Sequence, residues 1–309
     1  MSKEFGQIVW DASVEEDARE LVRLAVREDL ERWYDWTTVS LAGEGAKGAA
    51  KVMARQEGVI CGLRVAALVV EEMNLKATWK PLVEDGATVS RGIELGVLEG
   101  NARDLLTAER TILNFIGHLS GISTLTKRFV DAIHGTGARL YDTRKTTPGY
   151  RRLEKYAVRC GGGYNHRLGL YDAVLIKDNH LALGRQHEVG ADYTPSQAVE
   201  QARKFVKTYL EHDPRSNMMI EVEVDSLEQL KEVLPACPDI VLLDNMSCEQ
   251  LREAVAIRDS MQSATELEAS GGINLTTVRG VAETGVDRIS SGALTHSAIC
   301  LDVALDWTL

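Results

Sequence analysis

The rhythm of the second half of this chain constrains its fold more than any other feature. Six short β-rich runs stand at Arg139-Leu-Tyr-Asp, Ala173-Val-Leu-Ile, Met219 to Val224, Ile240-Val-Leu-Leu, Thr265 to Ala269 and Asp287-Arg-Ile-Ser. Between them lie helix-length segments at Ser196 to Leu210, Leu227 to Leu234, Glu249 to Met261 and Leu275 to Glu283. Such alternation predicts a parallel sheet with covering helices, because parallel strands need crossovers long enough to hold a helix. Periodicity alone leaves two architectures open, a doubly wound sheet and a barrel. The polar residues discriminate between them. Run after run ends, on its C-terminal side, in charged or glycine-rich residues: Asp142-Thr-Arg-Lys145, Lys177-Asp-Asn-His180, Asp225, Asp244-Asn245, Ser270-Gly-Gly272 and Ser290-Ser-Gly-Ala293. A β/α barrel builds its active site from that face, whereas a doubly wound sheet concentrates such residues at one switch point. The pattern favours a barrel.

The 309 residues leave room for a second domain. The first half reads as α+β. Val14, Ala18, Leu21, Val22, Ala25 and Val26 form a helical stripe with Ser13 as its expected N-cap. Lys51 to Ala54 alternates like a strand, and Leu63 to Met73 reads as a helix. A long helical pattern runs from Leu105 towards Ile133, with an expected interruption near Gly121. The net charge of -11 and pI near 5.2 argue against a nucleic-acid partner. Five scattered cysteines, without a C-x-x-C pair, argue against a zinc site or a disulfide framework. Apolar runs such as Val65 to Val70 are too short for a bilayer, and the N-terminus lacks an apolar core of signal-peptide type, so a cytoplasmic location is expected.

The last two strand ends, Ser270-Gly271-Gly272 and Ser291-Gly292-Ala293, each precede a helix-like pattern. Glycine lets backbone N–H groups approach an anion, and phosphate sites in barrels often follow the final two strands. Either stretch alone reads as an ordinary turn; the pair makes a candidate phosphate cradle. Arg144, Lys145, His166, Arg167 and Lys177 gather near the first two strand ends. Each could simply pair with one of the 46 acidic residues. Lys177, however, follows an apolar run, and a desolvated cation there needs an anionic partner. Arginine forks match carboxylates and phosphates, which suits a polyanionic ligand. Glu221, Glu223 and Asp225 share one strand face, and with Asp244 they could hold sugar hydroxyls or Mg²⁺, or form salt bridges in the barrel mouth.

Several segments together resemble the quinolinate phosphoribosyltransferase family. They are Glu109 to Asn114, Ser120 to Thr124, Asp142 to Gly149, Gly161 to Arg167, Leu175 to His180, Glu221 to Val224, Leu243 to Asn245, Ser270 to Gly272 and Gly292 to His296. The likeness runs in order from about Asp29 to the C-terminus. It implies an α/β fold class: an incomplete, open TIM-like α/β barrel over residues 121–292, beside an N-terminal α+β domain over 1–120. The C-terminal tail, about 293–309, is expected to pack on that domain. By the same resemblance, Arg144, His166, Arg167 and Lys177 hold the carboxylates of quinolinate, with Arg110 reaching across a homodimer. Lys145 and His296 face the pyrophosphate of phosphoribosyl pyrophosphate, and Glu223 and Asp244 its ribose or Mg²⁺. Ser270, Gly271, Gly272, Ser291, Gly292 and Ala293 cradle its phosphate, beside Thr143. Lys145, Glu223 and Asp244 are the expected catalytic groups, and nicotinate mononucleotide, pyrophosphate and CO2 the expected products. Two departures stand out: Arg185 to Thr194 is longer than expected, with no assigned role, and Ser291 stands where a small apolar residue is expected.

Three other functions compete. A phosphoribosyltransferase for a monocarboxylate such as nicotinate would need fewer cations. A Schiff-base aldolase would use Lys177. A phosphosugar-binding protein without chemistry would have little use for Glu223 and Asp244.

Overall fold

A computed structural model describes residues 4–184, 194–210, 213 and 217–308. These form two compact units, one of residues 8–128, 145–163 and 294–309, the other of 1–7, 129–144 and 164–293. The expected boundaries at 120 and 292 follow the chain in sequence order, whereas residues 145–163 join the first of these units. Most of the 185–194 stretch lies outside the described residues.

The first unit opens with α1 (Ala12–Leu30), which buries Val14, Ala18, Leu21 and Val22 as the stripe predicts. Its cap is Asp11 rather than Ser13. The Asp11 carboxylate accepts from the N–H groups of Ser13 and Val14, both at 2.9 Å, and its charge complements the helix dipole. After α2 (Trp36–Leu41) come β1 (Lys47–Ala54), β2 (Gly58–Val59), α3 (Leu63–Glu72), β3 (Ala77–Pro81), β4 (Thr88–Val89) and β5 (Glu94–Asn101). Then α4 runs unbroken over Ala102–Ala132, so the interruption expected near Gly121 does not occur. That glycine serves close approach. A Cβ there would stand 2.2 Å from the Ile299 carbonyl oxygen, and one glycine costs a helix of this length only about 1 kcal/mol.

The second unit takes its sheet from the second half of the chain. Its strands are β6 (Arg139–Tyr141), β7 (Val174–Ile176), β8 (Ile220–Val224), β9 (Ile240–Asp244), β10 (Glu266–Ser270) and β11 (Arg288–Ser290). The helices along this part of the chain are α5 (Arg151–Cys160), which belongs to the first unit, α6 (Asp178–Gly184), α7 (Pro195–Tyr209), α8 (Leu227–Val233), α9 (Cys248–Ser260), α10 (Val278–Ala282) and α11 (Ala293–His296). The last strand, β12 (Val303–Thr308), pairs antiparallel with β1, so the C-terminus completes a β12-β1-β5-β3 sheet. All ladders of the six-stranded sheet are parallel, in the order β6-β11-β10-β9-β8-β7.

That order decides between the two predicted architectures. Strands β7 to β11 are laid side by side in chain order, and the first strand lies beside the last, which is barrel winding rather than reversal at a switch point. Because β6 does not pair with β7, the barrel is open between them. Tyr164 forms a single parallel bridge to Tyr141 at that seam. Apolar residues such as Val222, Val241, Leu243, Leu267 and Ile289 are fully buried, as parallel strands covered on both faces require.

Candidate active site

The mouth of the open barrel is organised around one loop. After the Tyr164 bridge the chain turns through Asn165, His166 and Arg167, all buried. The fully buried Asp142, just past β6, fastens that loop: Oδ1 accepts from the His166 N–H at 2.8 Å and Oδ2 from the Asn165 amide at 2.7 Å. The Arg167 side chain donates from Nη1 to the Ala173 carbonyl at 3.0 Å, while its Nε is buried with no hydrogen-bond partner among the described residues. The Nε of Arg144 is in the same condition. Burial lowers the proton affinity of Arg167, and the like charge of Arg144 lowers it further. Buried Arg167 and half-buried Arg144 repel one another, each with a buried Nε donor unspent, and this creates strong demand for an anion.

His166 faces the other way, into the barrel. Its Nδ1 accepts the Arg167 backbone N–H at 2.8 Å, so the ring hydrogen sits on Nε2. Nε2 lies 3.0 Å from Glu221 and 3.6 Å from Glu268, both fully buried. These three side chains offer ligand atoms within 4.8 Å of one another. Besides His166, the Ser290 side chain is the neighbour that offers Glu268 a hydrogen bond, and Arg288 is a more distant cation. Desolvation pushes the Glu268 carboxyl up to about 7; His166 opposes the shift and the neighbouring Glu221 adds to it. Burial therefore holds Glu268 towards its neutral form.

The next strands carry one cation followed by carboxylates. Lys177 follows β7, and its Nζ forms an ion pair with Glu223 on β8. The anionic partner expected for Lys177 is therefore supplied by the chain itself. Glu223 is largely buried, whereas Asp225 on the same face is exposed. Asp244 ends β9 and accepts from the Asn245 amide at 2.7 Å. Strand β10 ends at Ser270, whose carbonyl accepts from the Asn245 N–H at 2.9 Å.

The two glycine-rich stretches are tied to each other. Gly271 and Gly272 have φ of 93° and 61°, in the left-handed region. A Cβ on Gly271 would lie 2.2 Å from the Asn245 side-chain oxygen, so this position excludes every other residue twice over. The Ser291 hydroxyl donates to the Ile273 carbonyl at 2.9 Å and its N–H to Tyr141 at 3.0 Å. Ser291 thus spends its donors bracing the two stretches. The helices expected directly after them do not begin there in full. Asn274 forms a turn that accepts from Thr276, which delays α10 to Val278, and α11 is four residues long. Backbone N–H groups of the turns, rather than helix ends, are what this region offers an anion.

Arg110, Lys145 and His296 belong to the first unit. Arg110 is exposed on α4, on a cleft of about 790 Å³ that also includes Asn114, His118 and Thr147. The Lys145 carbonyl accepts from Thr295 at 2.7 Å, and the exposed His296 ring exchanges a hydrogen bond with Ser297 at 2.7 Å. Sequence reasoning missed Glu268 and the fastening role of Asp142. The signal for Glu268 was available: a charge at the centre of the apolar run Leu267-Glu-Ala269, in phase with Ser270.

Two family models cover most of the chain: the N-terminal domain of quinolinate phosphoribosyl transferase matches residues 35–120 and its C-terminal domain residues 122–306. The carboxylating nicotinate-nucleotide pyrophosphorylase of Mycobacterium leprae is 45% identical over 291 residues, covering 94% of this chain and 96% of the relative. The mitochondrial decarboxylating quinolinate phosphoribosyltransferase 2b of Nicotiana tabacum is 37% identical over 306 residues, covering 94% and 82%. Among solved structures, the nicotinate-nucleotide pyrophosphorylase of Francisella tularensis superposes with a TM-score of 0.85 at 36% identity, covering all of both chains.

Proposed function

The chain belongs to the quinolinate phosphoribosyltransferase family, and from that premise we propose that it moves the phosphoribosyl group of phosphoribosyl pyrophosphate onto quinolinate, releasing pyrophosphate and CO2 and leaving nicotinate mononucleotide. The observation that carries the reading is the pair of buried, unpartnered Nε donors on Arg144 and Arg167. A dicarboxylate supplies the anionic oxygens they lack.

The division of labour follows from position. Arg144 and Arg167 grip the carboxylates, with His166 held beside them and Lys177 released from Glu223 when a substrate carboxylate replaces it. Gly271, Gly272, Gly292 and Ala293 present backbone N–H groups to the 5′-phosphate, while Ser270 and Ser291 hold those turns in shape. Thr143, Lys145 and His296 serve the pyrophosphate end. Glu223 and Asp244 face the sugar, whose C1 becomes cationic as pyrophosphate leaves, and their negative charge stabilises it. They are also suitable oxygen donors for Mg²⁺, which prefers one or two carboxylates plus substrate oxygens and would offset the charge of the departing pyrophosphate. The pyridine nitrogen closes on C1. The resulting pyridinium accepts the electron pair of the adjacent C–CO2 bond, CO2 departs, and a proton takes its place on the ring. Arg110, exposed on α4, acts in the site of a second copy of the chain. Among the described residues no helix is long and apolar enough to cross a membrane, and the reading includes a homodimer in the cytoplasm.

The test is direct. Purified protein with phosphoribosyl pyrophosphate, Mg²⁺ and either quinolinate or nicotinate is followed for nicotinate mononucleotide and CO2. Turnover of quinolinate with stoichiometric CO2 is expected. Turnover of nicotinate alone would overturn the dicarboxylate reading.

A further inference from the structure

The segment ahead of α1 precedes the residues that the family's N-terminal model matches, which begin at 35. It nevertheless touches the loop that carries Arg167. The Gln7 amide reads Asn165 on both sides: Oε1 accepts the Asn165 N–H at 2.9 Å and Nε2 donates to the Asn165 carbonyl at 3.0 Å. Phe5 is 4% exposed, with its ring centroid 4.3 Å from that of His166. It packs with Tyr141, Ala173, Met219 and Ile240. Glu4 anchors the segment: it accepts from the Tyr141 hydroxyl at 2.7 Å and pairs with Arg139 at 2.9 Å and with the fully buried Arg288 at 3.0 Å.

These contacts meet a need created by the open seam. Tyr164 makes an isolated bridge to β6, and Asn165, one residue on, lies outside the named strands. Asn165 is 1% exposed, and its N–H and carbonyl would be costly to leave unmet. Gln7 supplies in one side chain the donor and acceptor that a neighbouring strand would give. Two residues later stands Arg167, whose guanidinium is aimed by the backbone it hangs from. The His166 ring couples the two, since its Nδ1 holds the Arg167 N–H while Phe5 covers its face.

We infer that Glu4 to Gln7 is a positioning strap which fixes the Asn165–Arg167 loop and thereby sets the aim of Arg167 at the pyridine substrate. The inference rests on the reading of Arg167 as a carboxylate-binding group. It makes Gln7 and Phe5 positioning residues that never touch substrate.

The experiment compares Gln7→Met, Phe5→Leu and Arg167→Ala with the unaltered enzyme, measuring kcat, KM for quinolinate, KM for phosphoribosyl pyrophosphate and thermal midpoint. Displacing a binding group by a fraction of an ångström is expected to raise KM for quinolinate on the order of tenfold in Gln7→Met, with that for phosphoribosyl pyrophosphate within about twofold. Phe5→Leu, which keeps most of the apolar volume, should show a smaller split in the same direction and covers the case of a Gln7→Met that does not fold. A lowered thermal midpoint with both KM values unchanged, or raised equally, would overturn the strap. Arg167→Ala separates the two levels of the argument. If it leaves KM for quinolinate unchanged, the reading of Arg167 fails; if it raises KM while the strap variants do not, the strap alone fails.

Discussion

Replacing Glu268 by glutamine should make the protein more stable, by an amount that grows with pH. Glu268 is fully buried, desolvation pushes its carboxyl up to about 7 from an ordinary value of 4.5, and Glu221 stands beside it around the same imidazole. Over that interval the native state holds a proton that the unfolded chain has released. A carboxyl whose native proton affinity is raised contributes its full stability below about pH 4.5. It loses that stability as the pH rises, and the loss is complete once the pH has passed through about 7. The size follows from the same shift. Each tenfold in proton affinity is about 1.4 kcal/mol, so the wild type should forfeit roughly 3 kcal/mol across this range through Glu268.

Glutamine keeps the shape and cannot ionise, so the variant should follow the wild type at pH 5 and diverge from it above. Urea unfolding at fixed protein concentration, repeated from about pH 5 to pH 8.5, measures the difference directly, and other titrating groups cancel in it. A gap that opens by roughly 2–4 kcal/mol is the expected result. Parallel curves, or a glutamine variant that weakens with rising pH, would show that Glu268 is already ionised in the native barrel and that its charge is compensated there.

Other outcomes follow from the site. Arg144→Ala and Arg167→Ala should each lower kcat/KM for quinolinate by about a hundredfold or more, since each removes charged hydrogen bonds to a carboxylate, with the circular dichroism spectrum unchanged. Gly271→Ala should impair phosphoribosyl pyrophosphate binding and cost about 1–3 kcal/mol of stability, because its Cβ meets Asn245 at 2.2 Å and its φ is 93°; calorimetric titration and melting check both. Mixing inactive Arg110→Ala with inactive Arg144→Ala protein, after subunit exchange, should restore about a quarter of wild-type activity, since only mixed dimers carry one intact site; no restoration would place Arg110 in its own subunit's site.

The fold was legible where burial imposes a period. The six barrel strands appear within a residue or two of their expected places because strands covered on both faces are dominated by apolar residues and stop at turns, with the few charges turned into the barrel or its mouth. Their winding was legible only through the polar residues at their C-terminal ends. Gly121 shows where this kind of reading fails. A glycine inside a helical pattern signals either a break or a close approach, and only the chain lying against it, here the Ile299 carbonyl, decides which. The cap of α1 failed for a smaller reason: Asp11 and Ser13 are both good caps, and local sequence does not rank them.

The candidate site divides along the same line. Arg144, Arg167, Lys177, Glu223 and Asp244 were readable because a charged residue at the mouth of an apolar strand has few structural reasons to be there. What could not be read was which charges the chain consumes internally. Lys177 meets Glu223, Ser291 spends its hydroxyl on Ile273, and both His166 nitrogens are engaged within the barrel, so three residues of binding type are already bonded. Arg144 and Arg167 differ from these in keeping a buried Nε donor without an acceptor, although Arg167 also donates from Nη1 to Ala173. Side-chain chemistry lists the groups able to bind an anion; only three-dimensional pairing shows which of them still need one. By that criterion the two arginines, rather than the lysine, should dominate selection of a dicarboxylate. Lys177→Met should therefore cost less in quinolinate binding than either arginine variant, because a substrate carboxylate gains Lys177 only by displacing Glu223 from it. Quinolinate KM values for the three variants decide it, and a Lys177 effect larger than both would return the lysine to the centre of the site.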